Sequence, residues 1–390
     1  MQLIEVKDKK TANDFLQFPV QLYKNEPNWI RPLDKDINGV FDSEKNKTFR
    51  NGECIRWVLY DESEGKALGR IAAFVNKKTM NKDNDQPTGG VGFFECIEDQ
   101  NAANLLFDTG KKWLEEKGME AMDGPINFGD RDAWWGLLVD GYDIEPNYQC
   151  NYHFPYYQKL FENYGFQLYF KQFTFGRNTY DPLSPKLQHK ADLANQDPNY
   201  SFRHMEKRKL KKYAEDFRTV YNDAWARHPG VPKMSSLQAN QIVKNMKPIM
   251  DEKIMWFGYY KDEPVGFYIN LPEVNQVFKH VNGKLNLWGK LVFLYFKLTK
   301  KNKKMLGLVF GISPKHQGKG VDGALIMATR VMVQETYKRY PKLEMNWIGD
   351  FNPRMIRVVE QVGGDIVKTH HTYRYLFDRS KPFERMKIKD

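Results

Sequence analysis

The chain has 390 residues, 41% of them apolar and 14% aromatic, and carries a formal net charge of +11. That length predicts two domains, the apolar share excludes a disordered chain, and the basic balance favours anionic partners such as phosphorylated small molecules, nucleic acid or an acidic membrane surface. Met1 to Val6, followed by the charged run Lys7 to Lys10, lacks the apolar core of a secretory signal. Cys54, Cys96 and Cys150 are scattered and read as reduced thiols of a cytoplasmic protein, and the eight histidines form no zinc pattern, so no metal is expected.

Thr11 to Phe15 opens a helix carrying Phe15, Phe18 and Leu22, and Pro27-Asn-Trp-Ile-Arg-Pro32 follows as a rigid aromatic loop. Arg56 to Tyr60 and Leu68 to Val75 read as antiparallel strands joined by a turn at Asp61 to Lys66. Thr79 to Gly90 reads as a mobile polar loop, Val91 to Ile97 as a strand, Ala102 to Lys117 as a helix ended by Gly118, and Met119 to Met122 as a strand. From Asp123 to Pro155 no period holds. This segment carries Trp134, Trp135, Tyr142 and Phe154, and irregular stretches of such length inside a domain commonly serve binding or act as lids. Tyr156 to Tyr164 is a short helix closed by Gly165, and Gln167 to Phe175 a strand.

Asp181 to Pro198 holds three prolines and little apolar material, which predicts a boundary. Beyond it come a long basic helix over Lys207 to Arg227, a second helix over Gln238 to Met250, and a hairpin of Ile254 to Tyr260 and Pro264 to Asn270. Leu285 to Leu298 is apolar and aromatic, followed by lysines up to Lys304. It is too short to span a bilayer, and either lies at a membrane surface or forms a core helix with a solvated basic tail.

Leu306 to Ile312 alternates and then runs apolar, the pattern of a strand buried on both faces. Ser313 to His316 breaks it, and Gln317-Gly-Lys-Gly-Val-Asp-Gly323 follows as a glycine-rich turn. Ala324, Leu325, Ala328, Val331 and Met332 then mark one face of a helix. A strand feeding a glycine turn that opens a helix is an anion site, because free amides and the helix dipole point at the ligand. The dinucleotide and P-loop spellings are both absent. Asp322 would repel a phosphate unless it points away, and the ordinary alternative is a structural turn with an acid at the helix start. A strand at Leu343 to Ile348, a helix at Pro353 to Val362 and a strand at Ile366 to Phe377 complete the chain.

Phe161-Glu-Asn-Tyr-Gly165 matches Val359-Glu-Gln-Val-Gly363 at an offset of 198 residues, and each half reads helix, hairpin, strand, helix, strand, helix, strand. Only the second half has the glycine turn. The corresponding place in the first, Ile97 to Ala102, is acidic and glycine-free.

Gln317-x-x-Gly320 behind an apolar strand resembles the acyl-CoA pyrophosphate loop of the GNAT N-acyltransferase superfamily. Most of the chain resembles bacterial tandem GNAT-like N-acyltransferases, acetyltransferase-like proteins of unknown substrate, some of them resembling bacterial ceramide synthases. The resemblance is carried by Pro27 to Leu33, Gly92-Phe-Phe-Glu95, Gly124-Pro-Ile-Asn127, Gly136 to Gly141, Asn151 to Tyr157, Pro264-Val-Gly-Phe267 and Asn346-Trp-Ile348 with Asn352. It implies an α/β fold with mixed sheets in two tandem GNAT-like domains: residues 1–180 without a CoA loop, a linker over 181–200, and residues 201–390 with the loop. It also implies a bacterial, cytoplasmic enzyme that takes acetyl-CoA or a longer acyl-CoA as co-substrate and acylates an amine, a lipid or long-chain-base amine among the candidates. The loop residues toward CoA are Ile312, Ser313, Gln317, Gly318, Lys319, Gly320, Val321 and Gly323.

Acyl transfer to an amine needs a neutral amine, donors for the developing oxyanion and an acid for the leaving thiolate. In GNAT enzymes backbone amides of the splayed strand serve the oxyanion, here near Gly311, Ile312 or Ser313, and the acid is often a tyrosine before the glutamate of the penultimate helix. Val359 stands in that place, and Phe161 in the first half. His370, His371 and Tyr373 on the last strand, the latter two on one face, are the substitutes, and Glu95 in the first half serves as base if the two halves meet at the site, against the ordinary alternatives of a satisfied strand histidine and a glutamate paired with an arginine. Trp134, Trp135, Tyr142 and Phe154 are the expected wall for a hydrophobic acceptor, or else they seal the interface between the units. Two rival readings follow: a protein that binds acyl-CoA without turning it over, supported by Val359 and Asp322, and a nucleic-acid-associated protein, supported only by the charge runs Lys207 to Lys212, Lys300 to Lys304 and Lys381 to Lys389.

Overall fold

The computed structural model describes residues 1–82, 84–224 and 233–388. The first half runs β1 (Gln2–Glu5), α1 (Lys9–Leu22), α2 (Asp34–Val40), β2 (Gly52–Tyr60), β3 (Ala67–Asn76), β4 (Thr88–Cys96), α3 (Gln100–Glu116), β5 (Ala121–Gly124), β6 (Leu137–Asp140), α4 (Tyr156–Tyr164) and β7 (Gln167–Asn178). Then come α5 (Pro185–Gln196), β8 (Tyr200–His204), α6 (Leu210–Ala224), α7 (Ser236–Met246), β9 (Met255–Tyr260), β10 (Glu263–Pro272), α8 (Asn275–Phe278) and α9 (Leu287–Thr299). The chain closes with β11 (Lys304–Ile312), α10 (Val321–Val331), β12 (Lys342–Gly349), α11 (Pro353–Gln361) and β13 (Asp365–Leu376). Of the basic helix expected over Lys207 to Arg227, the part beyond Ala224 lies outside the described residues, as does Lys389 of the basic tail.

Local chemistry sets the ends of the elements. Asp8 accepts from the Thr11 amide in a capping box that opens α1, and Asp99 does the same service for α3. Gly165, at φ +108°, closes α4 with a left-handed residue. Gly363, at φ +80°, follows α11 in the same way. The repeat seen in the sequence is therefore a repeated helix stop. Thr88 to Gly90, expected in a mobile loop, belongs to β4, since Thr88 to Gly90 pair with Ala121 to Asp123.

The strands join one mixed sheet in the order β1-β2-β3-β4-β5-β13-β7-β12-β11-β10-β9-β8, with β6 pairing β13 off this path. Among the described residues two pairings are parallel, β4 with β5 and β11 with β12. The last strand of each half sits with the other half: β13 pairs β5 from Tyr373 to Leu376, and β7 pairs β12 from Asn178 to Gln172. Expected as two units side by side, the halves thus exchange their final strands. The cores follow the exchange. Tyr373 of β13 is buried with Phe94, Phe107 and Phe161, while Phe175 of β7 is buried with Ile348 and Val359.

The segment expected as a linker contains α5, started by Ser184, whose hydroxyl accepts from the Leu187 amide, and by Pro185 in the first turn. α5 buries Leu187, Ala191 and Ala194, the two alanines against Ala324 of α10. β11, expected to be buried on both faces, is open at Leu308, which is 49% exposed. Leu308 is also the residue left without a partner on β10, and pairing with β12 stops at Gly307.

Candidate functional site

Each half holds a strand that pairs in parallel at its start and then carries a bulge. In β4 the register against β3 shifts between Arg70 and Ala72, so that Phe93 and Phe94 stand against Ile71, and Phe93 takes φ +48°. In β11 the register against β10 shifts between Ile269 and Asn270, leaving Leu308 as the extra residue. A bulge bends and twists its strand and ends regular pairing, and in both halves the parallel partner diverges near it.

The two openings differ in what fills them. In the first half the chain plugs its own slot. The Ile126 amide donates to the Val91 carbonyl (2.8 Å), and a Cβ on Gly92 would lie 1.7 Å from the Ile126 carbonyl oxygen. In the second half no strand among the described residues pairs with the outer edge of β11 beyond Gly307. The Ser313 amide donates to the Val265 carbonyl on β10 (2.8 Å). Period-two alternation therefore turns the Ile312 and Phe310 amides to the open side. A narrow opening of about 30 Å³ lies beside the paired start of β11 and β12, lined by Tyr268, Met305, Ile326, Arg330, Leu343 and Val362.

The glycine turn closes the second slot. Pro314 to His316 form a single tight turn, Gly318 and Gly320 take φ +75° and +81°, and Gly320 is the N-cap of α10, with no capping side chain. The first-turn amides are thus left for another acceptor. Gln317 donates to the Ile312 carbonyl (3.1 Å), which ties the turn to the strand end. Gln317, Gly318 and Lys319 are exposed, while Val321 is buried. α5 crosses the other flank of α10. A Cβ on Gly320 would lie 2.0 Å from the Lys190 carbonyl oxygen, and one on Gly323 would lie 2.8 Å from the Ala191 nitrogen. Asp322 points the same way, paired with Lys190 at 2.8 Å. Gly320 and Gly323 therefore admit a helix, and the open face of the turn is Gly318 with Lys319.

The remaining sequence candidates are dispersed. Glu95 is paired with Arg70, which also donates to the Phe15 carbonyl (2.6 Å). His371 and Tyr373 do meet: the His371 Nδ1 lies 3.2 Å from the Tyr373 hydroxyl, which donates to Glu162 of α4 (3.0 Å). Burial pushes His371 down to about 4 and Tyr373 above its ordinary value, where Glu162 adds to the effect. Tyr373 belongs to the first-half core and has its partner on α4, and the half-buried His371 contacts Tyr373 on its own strand, so neither meets the glycine turn in these contacts. Trp134 packs on Phe93 at 5.6 Å and lines an enclosed space with Glu95, Tyr152 and His153. Trp135 lines a separate cavity of about 320 Å³, and Arg131 lies over its ring at 5.3 Å. Tyr142 and Phe154 join an aromatic cluster with Tyr23, Trp29 and Tyr152. The 129–135 stretch also reaches the diverging part of β12, where Trp347 donates to the Arg131 carbonyl (3.0 Å).

Sequence reasoning missed a buried polar junction between the halves. Glu344 of β12 pairs with Lys304 (3.0 Å) and Lys368 (2.8 Å), and Asn147 donates to it (2.8 Å). Asn147 also reaches Asn346 (2.9 Å), and Asn346 donates to Cys150 (3.4 Å). Burial raises the Glu344 carboxyl, but the two ammonium groups carry it below its ordinary value, and burial holds Lys368 down. Burial also pushes the Cys150 thiol up to about 12, so it stays protonated and unreactive. Charged residues within strands were the available signal, since Glu344 and Lys368 are buried in β12 and β13. His153 and His370, pushed down by burial to about 3 and about 4, stand nearby as neutral rings. The Leu138 amide donates to His153, and His370 donates to the Asn151 carbonyl.

Bulged strands diverging from parallel partners, a glycine turn at a helix start, and the same order of elements twice define the architecture: the chain has a tandem GNAT-like fold. No protein-family model matches it. Over 378 residues it is 24% identical to a protein named Bacterial ceramide synthase from Caulobacter vibrioides (strain NA1000 / CB15N), covering 96% of this chain and 97% of that one. It is also 22% identical to Protein YghO from Escherichia coli (strain K12), over 94% of this chain and 93% of the relative. A solved structure described as a tandem GNAT protein from the clavulanic acid biosynthesis pathway superposes with a TM-score of 0.54 at 10% identity, over 98% of this chain and 99% of the other.

Proposed function

We propose that the chain is an acyl-CoA-dependent N-acyltransferase whose single competent slot lies between β11 and β12. The observation that carries this reading is the contrast between the openings: the first is filled by Ile126, whereas the second keeps an unpaired strand edge leading to an uncapped helix start. An extended thioester ligand pairs its amides with such an edge as an added strand would, and its pyrophosphate suits the amides of Gly318 and Lys319 and the start of α10. Acyl transfer then breaks the thioester C–S bond and forms a C–N bond. In this reading the Ile312 amide serves the developing oxyanion, and the amine's proton goes to the leaving thiolate. Glu95, His371 and Tyr373 remain candidates for proton handling, with Glu95 needing release from Arg70. The acceptor reading is a hydrophobic amine of long-chain-base type. Trp347 of β12, which reaches the Arg131 carbonyl of the segment carrying Trp135, offers an aromatic side chain where the halves meet, and the similarity to a protein named Bacterial ceramide synthase supports that acceptor class.

Lys319 gives the test. It is exposed at the open face of the turn, so K319E is expected to weaken CoA binding in calorimetry by about tenfold, in line with one charge-assisted contact. Loss for CoA but not for dephospho-CoA assigns Lys319 to the ribose phosphate, and equal loss assigns it to the pyrophosphate. Unchanged affinity for both ligands removes the turn from the site.

A further inference from the structure

From Val274 to Val321 the chain runs 48 residues without one carboxylate side chain, and ten lysines fall in that stretch. Helix α9 lies in its middle. Its inner side, Val292, Phe293 and Phe296, packs on Val274, Val277, Phe278 and Val281. Its outer side is apolar as well: Leu287, Trp288, Leu291, Leu294, Tyr295 and Leu298 are 47–76% exposed. These positions follow i, i+1, i+4, i+7, i+8 and i+11, one stripe about 120° wide on the helix. Lys290 and Lys297 border the stripe. Lys284 precedes it, Lys300, Lys301 and Lys303 follow, and all six are exposed.

A contiguous apolar stripe of this extent held in water marks a contact surface. Its lysine fringe decides the occupant. A second copy docking by two-fold symmetry would set lysine fringe against lysine fringe, with no carboxylate on either helix to offset the repulsion. A bilayer with anionic headgroups meets both demands, taking the apolar side chains at the headgroup–acyl boundary and the ammonium groups at the phosphates. At 13 residues α9 is too short to cross, and no helix among the described residues is long and apolar enough to do so. We infer that α9 is a membrane-seating helix, lying in the plane of an anionic bilayer with the Leu287–Leu298 stripe inserted. Beneath it is a cavity of about 290 Å³ lined by Phe293, Phe296, Ile249, Lys253 and Lys300, so the seated face has space behind it. The inference stands on the helix surface and is independent of the acyl-transfer reading.

The test is co-sedimentation of the full chain with phosphatidylcholine vesicles, with and without roughly one-third phosphatidylglycerol. The wild type is expected to pellet with the anionic vesicles and to be released by salt. L291S/L294S and K290E/K297E, which change only exposed side chains, are each expected to lose about tenfold or more in affinity while keeping the wild-type far-UV circular dichroism. Absence of wild-type binding to either vesicle, or variants that bind as the wild type does, overturns the inference. So does a wild-type dimer in light scattering that L291S/L294S dissociates, if neither protein binds vesicles.

Discussion

Gly320 shows how one residue type answers two demands. Its φ of +81° requires a residue without a Cβ penalty, and the crossing of α5 leaves no room for a Cβ. G320A is expected to lower the unfolding free energy by about 2 kcal/mol or more in urea titration, because the colliding atom is a backbone carbonyl and not a movable side chain. A G320A protein as stable as the wild type contradicts the packing of α5. Histidine sets a second expectation. His370 is held neutral, down to about 4 from an ordinary 6.5, by burial. Above about pH 6.5 neither the folded nor the unfolded ring carries the proton, and its contribution to stability is complete. As pH falls from there toward 4 the unfolded chain takes up a proton that the folded one refuses, so stability is lost, on the order of 3 kcal/mol at most for this group. H370Q keeps the donor to the Asn151 carbonyl and cannot titrate. Its urea midpoint is expected to fall less between pH 7 and pH 5 than the wild type's, and an equal fall assigns the pH dependence elsewhere.

At the scale of elements, local signals were legible and non-local ones were not. The hairpin around Lys261, the stop of α4 at Gly165 and the start of α11 at Asn352, whose side chain accepts from the Met355 amide, follow from turn and cap chemistry within a few residues. α5 was hidden because its buried face has one large apolar residue, Leu187, beside the small Ala191 and Ala194, though Ser184-Pro185 spelled a helix start. The filling of the first slot by Ile126 and the exchange of β7 and β13 depend on residues far apart in the chain, which no period reports. Of the site, the glycine turn was legible, while the Glu344–Lys304–Lys368 junction and the role of α5 were not. We propose that the chain order 1–180, 181–200 and 201–390 still marks the two units, with their last strands exchanged. Residues 1–180 expressed alone then leave β5 and β7 without the strand between them. Unpaired edges of this kind aggregate, so each half is expected to be insoluble or unfolded alone and to yield a soluble pair on co-expression. A folded, monomeric 1–180 fragment in size-exclusion chromatography contradicts the exchange.

The whole molecule joins an open slot in one half, a closed one in the other, and a basic apolar helix on the surface of the second. The missing helix tyrosine fits this arrangement, because Val359 is buried against Phe175 and Ile348 and faces the core. A proton donor, where one is used, must come from elsewhere, and the exchanged strand carries His371 and Tyr373 into the first half. The measurement that bears most directly on catalysis is amide formation by the purified chain, supplied with acyl-CoA and long-chain or short-chain primary amines, with free thiol and N-acyl product followed together. The expected result is amine-dependent CoA release equal to the amide formed, rising with acceptor chain length by up to about 0.8 kcal/mol of transition-state binding per buried CH₂. CoA bound with no amine-dependent release across the whole series contradicts the account and leaves a binding protein in its place.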